Sequence, residues 1–178
     1  MIAGPEGLEA RPTASKIRQA FFNILCTKVP GASFLDLCAG TGLMGFEALS
    51  RGAGPVIFVE ENRKLARAIE LNVKRLSYEA EVICADARRV IPILEREKFD
   101  IIFADPPYRS PLALAILRGV GSHGLLKVDG SLAIEHDRGA QLPGESEGLV
   151  HYDRREYGQT AVTFYKWRDF RERAGDDA

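Results

Sequence analysis

Asp105-Pro106-Pro107-Tyr108 is the stretch with the plainest chemical content. A residue that precedes proline is pushed away from the α region and proline fixes φ, so Asp105 and Pro106 are both held extended and the loop is stiff. Neither proline carries an N–H. The Asp105 carboxylate and the Pro106 carbonyl therefore present acceptors without a competing donor from Pro106 or Pro107. Two converging acceptors beside an aromatic ring suit the exocyclic amine of a planar base. Such an amine is a poor nucleophile because its lone pair is delocalised into the ring. Accepting both of its N–H protons favours the pyramidal form that attacks a methyl group, an effect strongest in the transition state. Tyr108 would stack on the base, a contact worth about 1–3 kcal/mol in single-strand binders. The plain alternative is a proline-rich turn with a surface tyrosine.

A second constellation lies upstream. Gly40-Thr41-Gly42-Leu43-Met44-Gly45 fits G-x-G-x-x-G, and Glu60 follows Gly40 at the spacing expected of a carboxylate that accepts from ribose hydroxyls. Taken alone it is a nucleotide fingerprint, or an ordinary turn in which glycine supplies φ > 0. Asp36, just before this turn, separates ligand classes. A pyrophosphate at the helix N-terminus would be repelled by it, whereas S-adenosylmethionine has no phosphate and presents an ammonium and a sulfonium. Asp36 could also simply bind backbone amides of its own turn.

These residues need elements to hold them. Pro12 and Thr13 offer a helix start with Thr13 as N-cap, and Ile17, Ala20, Phe21, Ile24 and Leu25 follow at helical spacing, giving an amphipathic helix over 11–28. From 33 onward strands and helices alternate: strands at Phe34–Leu37, Pro55–Val59, Glu81–Cys84, Phe99–Ala104 and Ser131–Glu135, with Asn62 and Asp86 capping two of the intervening helices. Repeated strand-helix units predict a doubly wound α/β domain, since parallel strands require crossover connections. Leu149–Glu156 and Thr160–Trp167 flank Tyr157-Gly158-Gln159, which reads as an antiparallel terminal hairpin.

The length of 178 residues suits one domain. We expect a loose lead-in over 1–10, the helix over 11–28, the core over 33–168 and a tail over 169–178. An apolar fraction of 46% and a charged fraction of 28% exclude disordered, collagenous and disulfide-scaffold classes. Lys plus Arg number 24 against 25 Asp plus Glu, a net charge of −1 that excludes a uniformly basic coat and leaves room for a local patch. Cys26, Cys38 and Cys84 form no C-x-x-C pair, and His123, His136 and His151 show no metal-ligand spacing, so no metal site is expected. No apolar run approaches the ~18 residues of a membrane span, and Met1–Glu6 lacks signal-peptide character, which points to the cytoplasm.

The order Asp36, Gly40, Gly42, Glu60, Asp86, Asp105-Pro106-Pro107-Tyr108 resembles the class I S-adenosylmethionine-dependent methyltransferases that act on amino groups. Arg11-Pro12-Thr13-x-x-Lys16-x-Arg18-x-x-Phe21-Phe22-Asn23-Ile24-Leu25, together with Phe34 to Gly42, narrows this. The chain is similar to the bacterial 16S ribosomal RNA guanine-N2 methyltransferase family from Arg11 to Trp167. The resemblance implies a Rossmann-like, mostly parallel seven-stranded sheet with an antiparallel C-terminal hairpin; a monomer is the expected state, on which the sequence itself is silent. It implies that Asp36, Cys38, Ala39, Gly40, Thr41 and Gly42 line the methionine part of the cofactor S-adenosylmethionine, that Glu60 holds the ribose, and that Glu61, Asn62, Asp86 and Ala87 surround the adenine. Asp105, Pro106, Pro107 and Tyr108 would form the catalytic loop. Arg11, Thr13, Lys16 and Arg18 would contact the RNA, offered free or as a partly assembled small ribosomal subunit, and Arg154, Arg155, Lys166 and Arg168 form either a further patch or a plain solvated surface. At the front the chain departs from the family: ten residues including Glu6 and Glu9 precede Arg11, where the family carries a basic, strand-forming segment. An adenine-N6 methyltransferase would use the same loop. A dinucleotide-dependent oxidoreductase fits the glycines but not Asp36 or the Asp-Pro-Pro-Tyr loop, and a non-catalytic RNA-binding module would keep only the fold.

Overall fold

The computed structural model describes residues 12–108 and 110–168, with only the backbone of 12–14. Arg11, the side chain of Thr13, the lead-in over 1–10 and the tail over 169–178 lie outside the described residues. Helix α1 (Pro12–Ile24) already includes Pro12, a residue suited to a first helical turn. Thr13 therefore stands inside that turn and not at its cap. The buried stripe of α1 is Ile17, Phe21 and Phe22, continued by Leu25, whereas Ile24 is on the exposed side.

The remaining elements are β1 (Phe34–Leu37), α2 (Leu43–Ser50), β2 (Val56–Val59), α3 (Arg63–Arg75), β3 (Ala80–Ile83), α4 (Ala87–Val90), β4 (Phe99–Ala104), α5 (Leu112–Ser122), β5 (Leu126–Asp137), β6 (Glu145–Ser146), β7 (Leu149–Tyr157) and β8 (Thr160–Trp167). They build one sheet in the order β3-β2-β1-β4-β5-β8-β7-β6. The sheet has eight strands where seven were expected. The extra strand is the two-residue β6, an edge segment too short to leave a periodic signal, paired antiparallel to β7. Strands β1 to β5 run parallel, and β8, β7 and β6 are antiparallel to their neighbours. Strand β5 starts earlier than Ser131 because its first residues pair Phe99 with Leu126 across a register shift.

Strands β1 and β4 are buried on both faces, which explains why they are apolar apart from Asp36 and Asp100. One face packs α1, α2 and α3 around Phe21, Phe34, Phe46 and Phe58. The other packs α4 and α5 around Ile91, Ile102, Ile116 and Leu117. Strand order reverses between β1 and β4, and the crevice at the carboxyl ends of such strands is where open α/β sheets bind ligands.

Candidate active site

A cavity of 190 Å³ occupies that crevice. Four consecutive βα junctions line it: Cys38 and Gly40 after β1, Val59, Glu60 and Glu61 at β2, Ala85, Asp86 and Ala87 after β3, and Asp105, Pro107 and Leu112 after β4. The three glycines of the turn serve different ends. Gly40 has φ +57, lines the cavity, and a Cβ there would meet no protein atom, so its missing side chain leaves room for a ligand. Gly42 has φ +78. Gly45 lies inside α2, where a Cβ would come within 2.1 Å of the Phe58 ring, so it sets how closely the helix packs on β2.

Glu60 ties this turn to the second strand. Its Oε2 accepts from the Gly40 N–H at 2.7 Å and its Oε1 from the Asn62 N–H at 2.8 Å, while the side chain is 7% exposed. A carboxylate has roughly four lone-pair sites, so acceptor capacity remains for hydroxyl donors in the cavity. Asn62 acts as the cap of α3, its Oδ1 accepting from Lys64 and Leu65. Asp86 caps α4 through Arg88 N–H at 2.8 Å, and the Arg88 guanidinium holds its pKa below the usual carboxylate range.

Asp36 is 1% exposed and accepts from the Gly45 N–H at 2.9 Å, and it is not among the residues lining the cavity. Its carboxylate thus braces the start of α2, the backbone role that its position in the sequence allowed. Burial raises its pKa well above the ordinary value despite the Gly45 bond, and the charges of Asp105 and Glu60 add to the rise. Ala39, Thr41 and Gly42 likewise shape the turn without lining the cavity, and Asn62 stays outside it as the cap of α3. Cys38 does line it, with φ +62, and burial followed by the surrounding carboxylates pushes its thiol up to about 12. It is an unreactive wall.

The Asp-Pro-Pro-Tyr loop follows β4, as expected, and divides two spaces. Asp105 and Pro107 line the first cavity, while Pro106, Pro107 and Tyr108 line a second of 190 Å³ with Glu135, His136 and Leu142. Asp105 keeps solvent contact. Desolvation by the protein around its carboxylate, helped by the Glu135 charge, nevertheless pushes its pKa up to about 7. Tyr108 is 42% exposed, yet its hydroxyl is fixed at two points: it donates to Glu135 Oε1 at 2.9 Å and lies 2.7 Å from Thr160 Oγ1. The ring is thereby held without being covered.

Sequence reasoning missed Glu135 and Thr160 as site residues. A lone carboxylate ending the fifth parallel strand was a usable signal for Glu135. Nothing local pointed to Thr160, which reaches the loop only through the antiparallel return of β8. His136 is buried and bonds Thr163 Oγ1 at 2.7 Å, a core contact.

The basic residues are dispersed. Lys16 is exposed on α1, and Arg18 is drawn toward Glu47 of α2 at 3.6 Å. On the hairpin Arg154 pairs with Glu156, Arg155 with Asp153 and Arg168 with Glu145. Exposed pairs of this kind are worth about 0–1 kcal/mol, so they cancel charge more than they add stability. Among the described residues no cluster of His, Cys, Asp or Glu could hold a metal ion, and no helix is long and apolar enough to cross a membrane.

This arrangement has counterparts among known proteins. The family model described as Conserved hypothetical protein 95 matches residues 1–166. The chain belongs to that family. Two curated relatives of this Conserved hypothetical protein 95 member cover most of its length. YlbH of Bacillus subtilis is 36% identical over 91% of this chain and 90% of its own. Ribosomal RNA small subunit methyltransferase D of Haemophilus influenzae is 31% identical over 79% of this chain and 74% of its own. The solved structure of yhhF from Escherichia coli superimposes with a TM-score of 0.84 at 27% identity, covering 94% of this chain and 91% of that one.

Proposed function

We propose that the protein transfers the methyl group of S-adenosylmethionine to the exocyclic N2 amine of a guanine in 16S ribosomal RNA. One observation carries the reading. Asp105 lines the cavity that Gly40, Glu60 and Asp86 also line, whereas Pro106 and Tyr108 face the second cavity across Pro107. An acceptor pair suited to an amine thus stands where two spaces meet, one fit for a cofactor and one for a base. The relative named Ribosomal RNA small subunit methyltransferase D supports the choice of small-subunit ribosomal RNA as substrate.

The first cavity fits S-adenosylmethionine by its donor set. Gly40 leaves the turn open, Glu60 keeps acceptor capacity for ribose hydroxyls, and Asp86 in the cavity wall would offer an acceptor to an adenine amine. The carboxylates of Glu60, Glu61, Asp86 and Asp105 give the cavity an anionic lining that attracts a cation and repels a pyrophosphate, which disfavours a dinucleotide. When bound, S-adenosylmethionine supplies a methyl group on a positively charged sulfur.

The protein's own residues prepare the amine. The Asp105 carboxylate and the Pro106 carbonyl accept its two N–H protons, which draws the nitrogen lone pair out of conjugation. Tyr108, its hydroxyl held by Glu135 and Thr160, offers a fixed ring face on which the base stacks. A pKa near 7 lets Asp105 be ionised when it accepts those bonds and take the proton that the nitrogen releases at an Oδ atom. Catalysis then rests on placement and electrostatics.

The protein acts as a single-domain cytoplasmic monomer, with Lys16 among its RNA contacts. Phosphate contacts predict steep salt dependence of RNA binding. Incubation with labelled S-adenosylmethionine and unmodified small-subunit RNA, free and in partly assembled particles, followed by mapping of the labelled base, tests the proposal. Label at one guanine supports it. Label confined to adenines, or to no RNA, refutes it.

A further inference from the structure

Glu135 is not needed to explain amine activation by Asp105 and Pro106, yet the fold places it beside them. It stands near the carboxyl end of β5, is 9% exposed, and lines the second cavity together with Pro106 and Tyr108. Its charge is close enough to Asp105 for the two carboxylates to repel. One of its oxygens, Oε1, accepts from Tyr108 at 2.9 Å, and Thr160 of β8 holds the same hydroxyl, so the carboxylate is braced by a tyrosine that is itself fixed. Of roughly four lone-pair sites on a carboxylate, the Tyr108 bond uses one.

The bases that could be methylated on an amine differ at the neighbouring ring atom. In guanine the N2 amine adjoins N1–H, a donor. In adenine the N6 amine adjoins N1 as a lone pair, an acceptor. A fixed carboxylate beside the base therefore accepts a hydrogen bond from guanine and faces a repelling lone pair in adenine. Sites built to bond a substrate N–H reject the analogue lacking it more strongly than apolar pockets reject a shape.

We infer that Glu135 is a specificity-determining residue: it reads the ring N–H beside the target amine and so admits guanine and turns adenine away. The inference rests on the guanine methylation proposed above and supplies the selectivity that the Asp-Pro-Pro-Tyr loop alone lacks.

2-Aminopurine keeps the N2 amine and carries a lone pair at N1; it also lacks the C6 oxygen, so the comparison with Glu135→Gln assigns the part of the preference that belongs to N1. Small-subunit RNA is assembled by ligation with either guanine or 2-aminopurine at the mapped position, and kcat/KM is measured for both with the full-length protein. The wild type is expected to favour guanine by about 10- to 100-fold, the scale of a hydrogen bond to a charged group. Glu135→Gln keeps an oxygen for Tyr108 and can turn its NH2 toward the lone pair, so the preference should collapse to within about threefold. Tyr108→Phe removes the brace but keeps the carboxylate, and should slow both substrates while preserving the preference. A wild type that uses the two substrates equally overturns the inference, and this comparison stands even if the Gln variant fails to fold. A Glu135→Gln variant that loses activity equally on both also overturns it, leaving Glu135 as a support for Tyr108. A wild type that methylates no guanine at all fails the functional proposal itself, a result visible before either comparison is made.

Discussion

Replacing Glu60 by glutamine keeps the side chain's size and removes its charge, and the two contacts of this carboxylate make the result calculable. Oε2 accepts from Gly40 at 2.7 Å and Oε1 from Asn62 at 2.8 Å. An amide offers a single oxygen, so one of the two backbone N–H groups must face an NH2 group in a side chain only 7% exposed. Losing a hydrogen bond to a charged group costs about 1.5–3 kcal/mol. At about 2–4 °C per kcal/mol for a domain of this size, Tm should fall by about 3–12 °C. The same carboxylate is assigned to the ribose, so affinity for S-adenosylmethionine should drop by about tenfold or more. Scanning calorimetry of the free protein reads the first effect and isothermal titration reads the second. A variant that melts and binds as the wild type does would refute both parts. A lowered Tm with unchanged affinity would confine Glu60 to bracing the glycine turn.

Further perturbations test neighbouring claims. Gly45→Ala places a Cβ 2.1 Å from a buried Phe58 atom and should destabilise the fold by about 1–3 kcal/mol in urea denaturation; an unchanged midpoint would contradict the packing account. Burial raises the Asp36 pKa in the folded state, so the folded protein holds that proton more tightly than the unfolded chain does. Its contribution to stability is complete below the ordinary carboxylate range and is lost as pH rises through the raised value. Asp36→Asn, which can still accept from Gly45, should therefore flatten the fall in Tm as pH rises above the ordinary carboxylate range; a steeper fall would show the sign to be wrong. Because Asp105 must be ionised to accept the amine, kcat/KM should rise with pH through about 7. A rate independent of pH across that range would remove its proposed role.

How far the amino-acid order alone reaches depends on whether a feature is local. The β1 turn, the Asn62 and Asp86 caps and the proline-stiffened loop are each set by residues a few positions apart, and the structure has them in those places. Glu60 could be paired with Gly40 because the βαβ unit brings residues at that spacing together. The Tyr108 clamp could not be anticipated in this way, since Glu135 and Thr160 reach it from β5 and β8 across separations of 27 and 52 residues. Charge was also misleading in isolation. Arg154, Arg155 and Arg168 read in sequence as a basic patch or a solvated face; alternation along β7 puts Glu156 beside Arg154 and Asp153 beside Arg155, and only the sheet's return brings Glu145 of β6 to Arg168. Asp36 illustrates a third limit. Its type and position suited a cationic ligand, while its burial directs it to the Gly45 amide, an outcome decided by packing and not by spacing.

The central claim is that Asp105, at the junction of the two cavities, prepares the amine of a guanine for methylation. Its most direct test is mass analysis of nucleosides released from small-subunit RNA after a single turnover with the wild type and with Asp105→Ala, each first shown by calorimetry to bind S-adenosylmethionine. The account predicts N2-methylguanosine with the wild type and a loss of at least about a hundredfold in rate with the variant, the scale of removing one group aimed at the reacting atom. N2-methylguanosine formed at the wild-type rate by Asp105→Ala, or N6-methyladenosine as the product of the wild type, would contradict it.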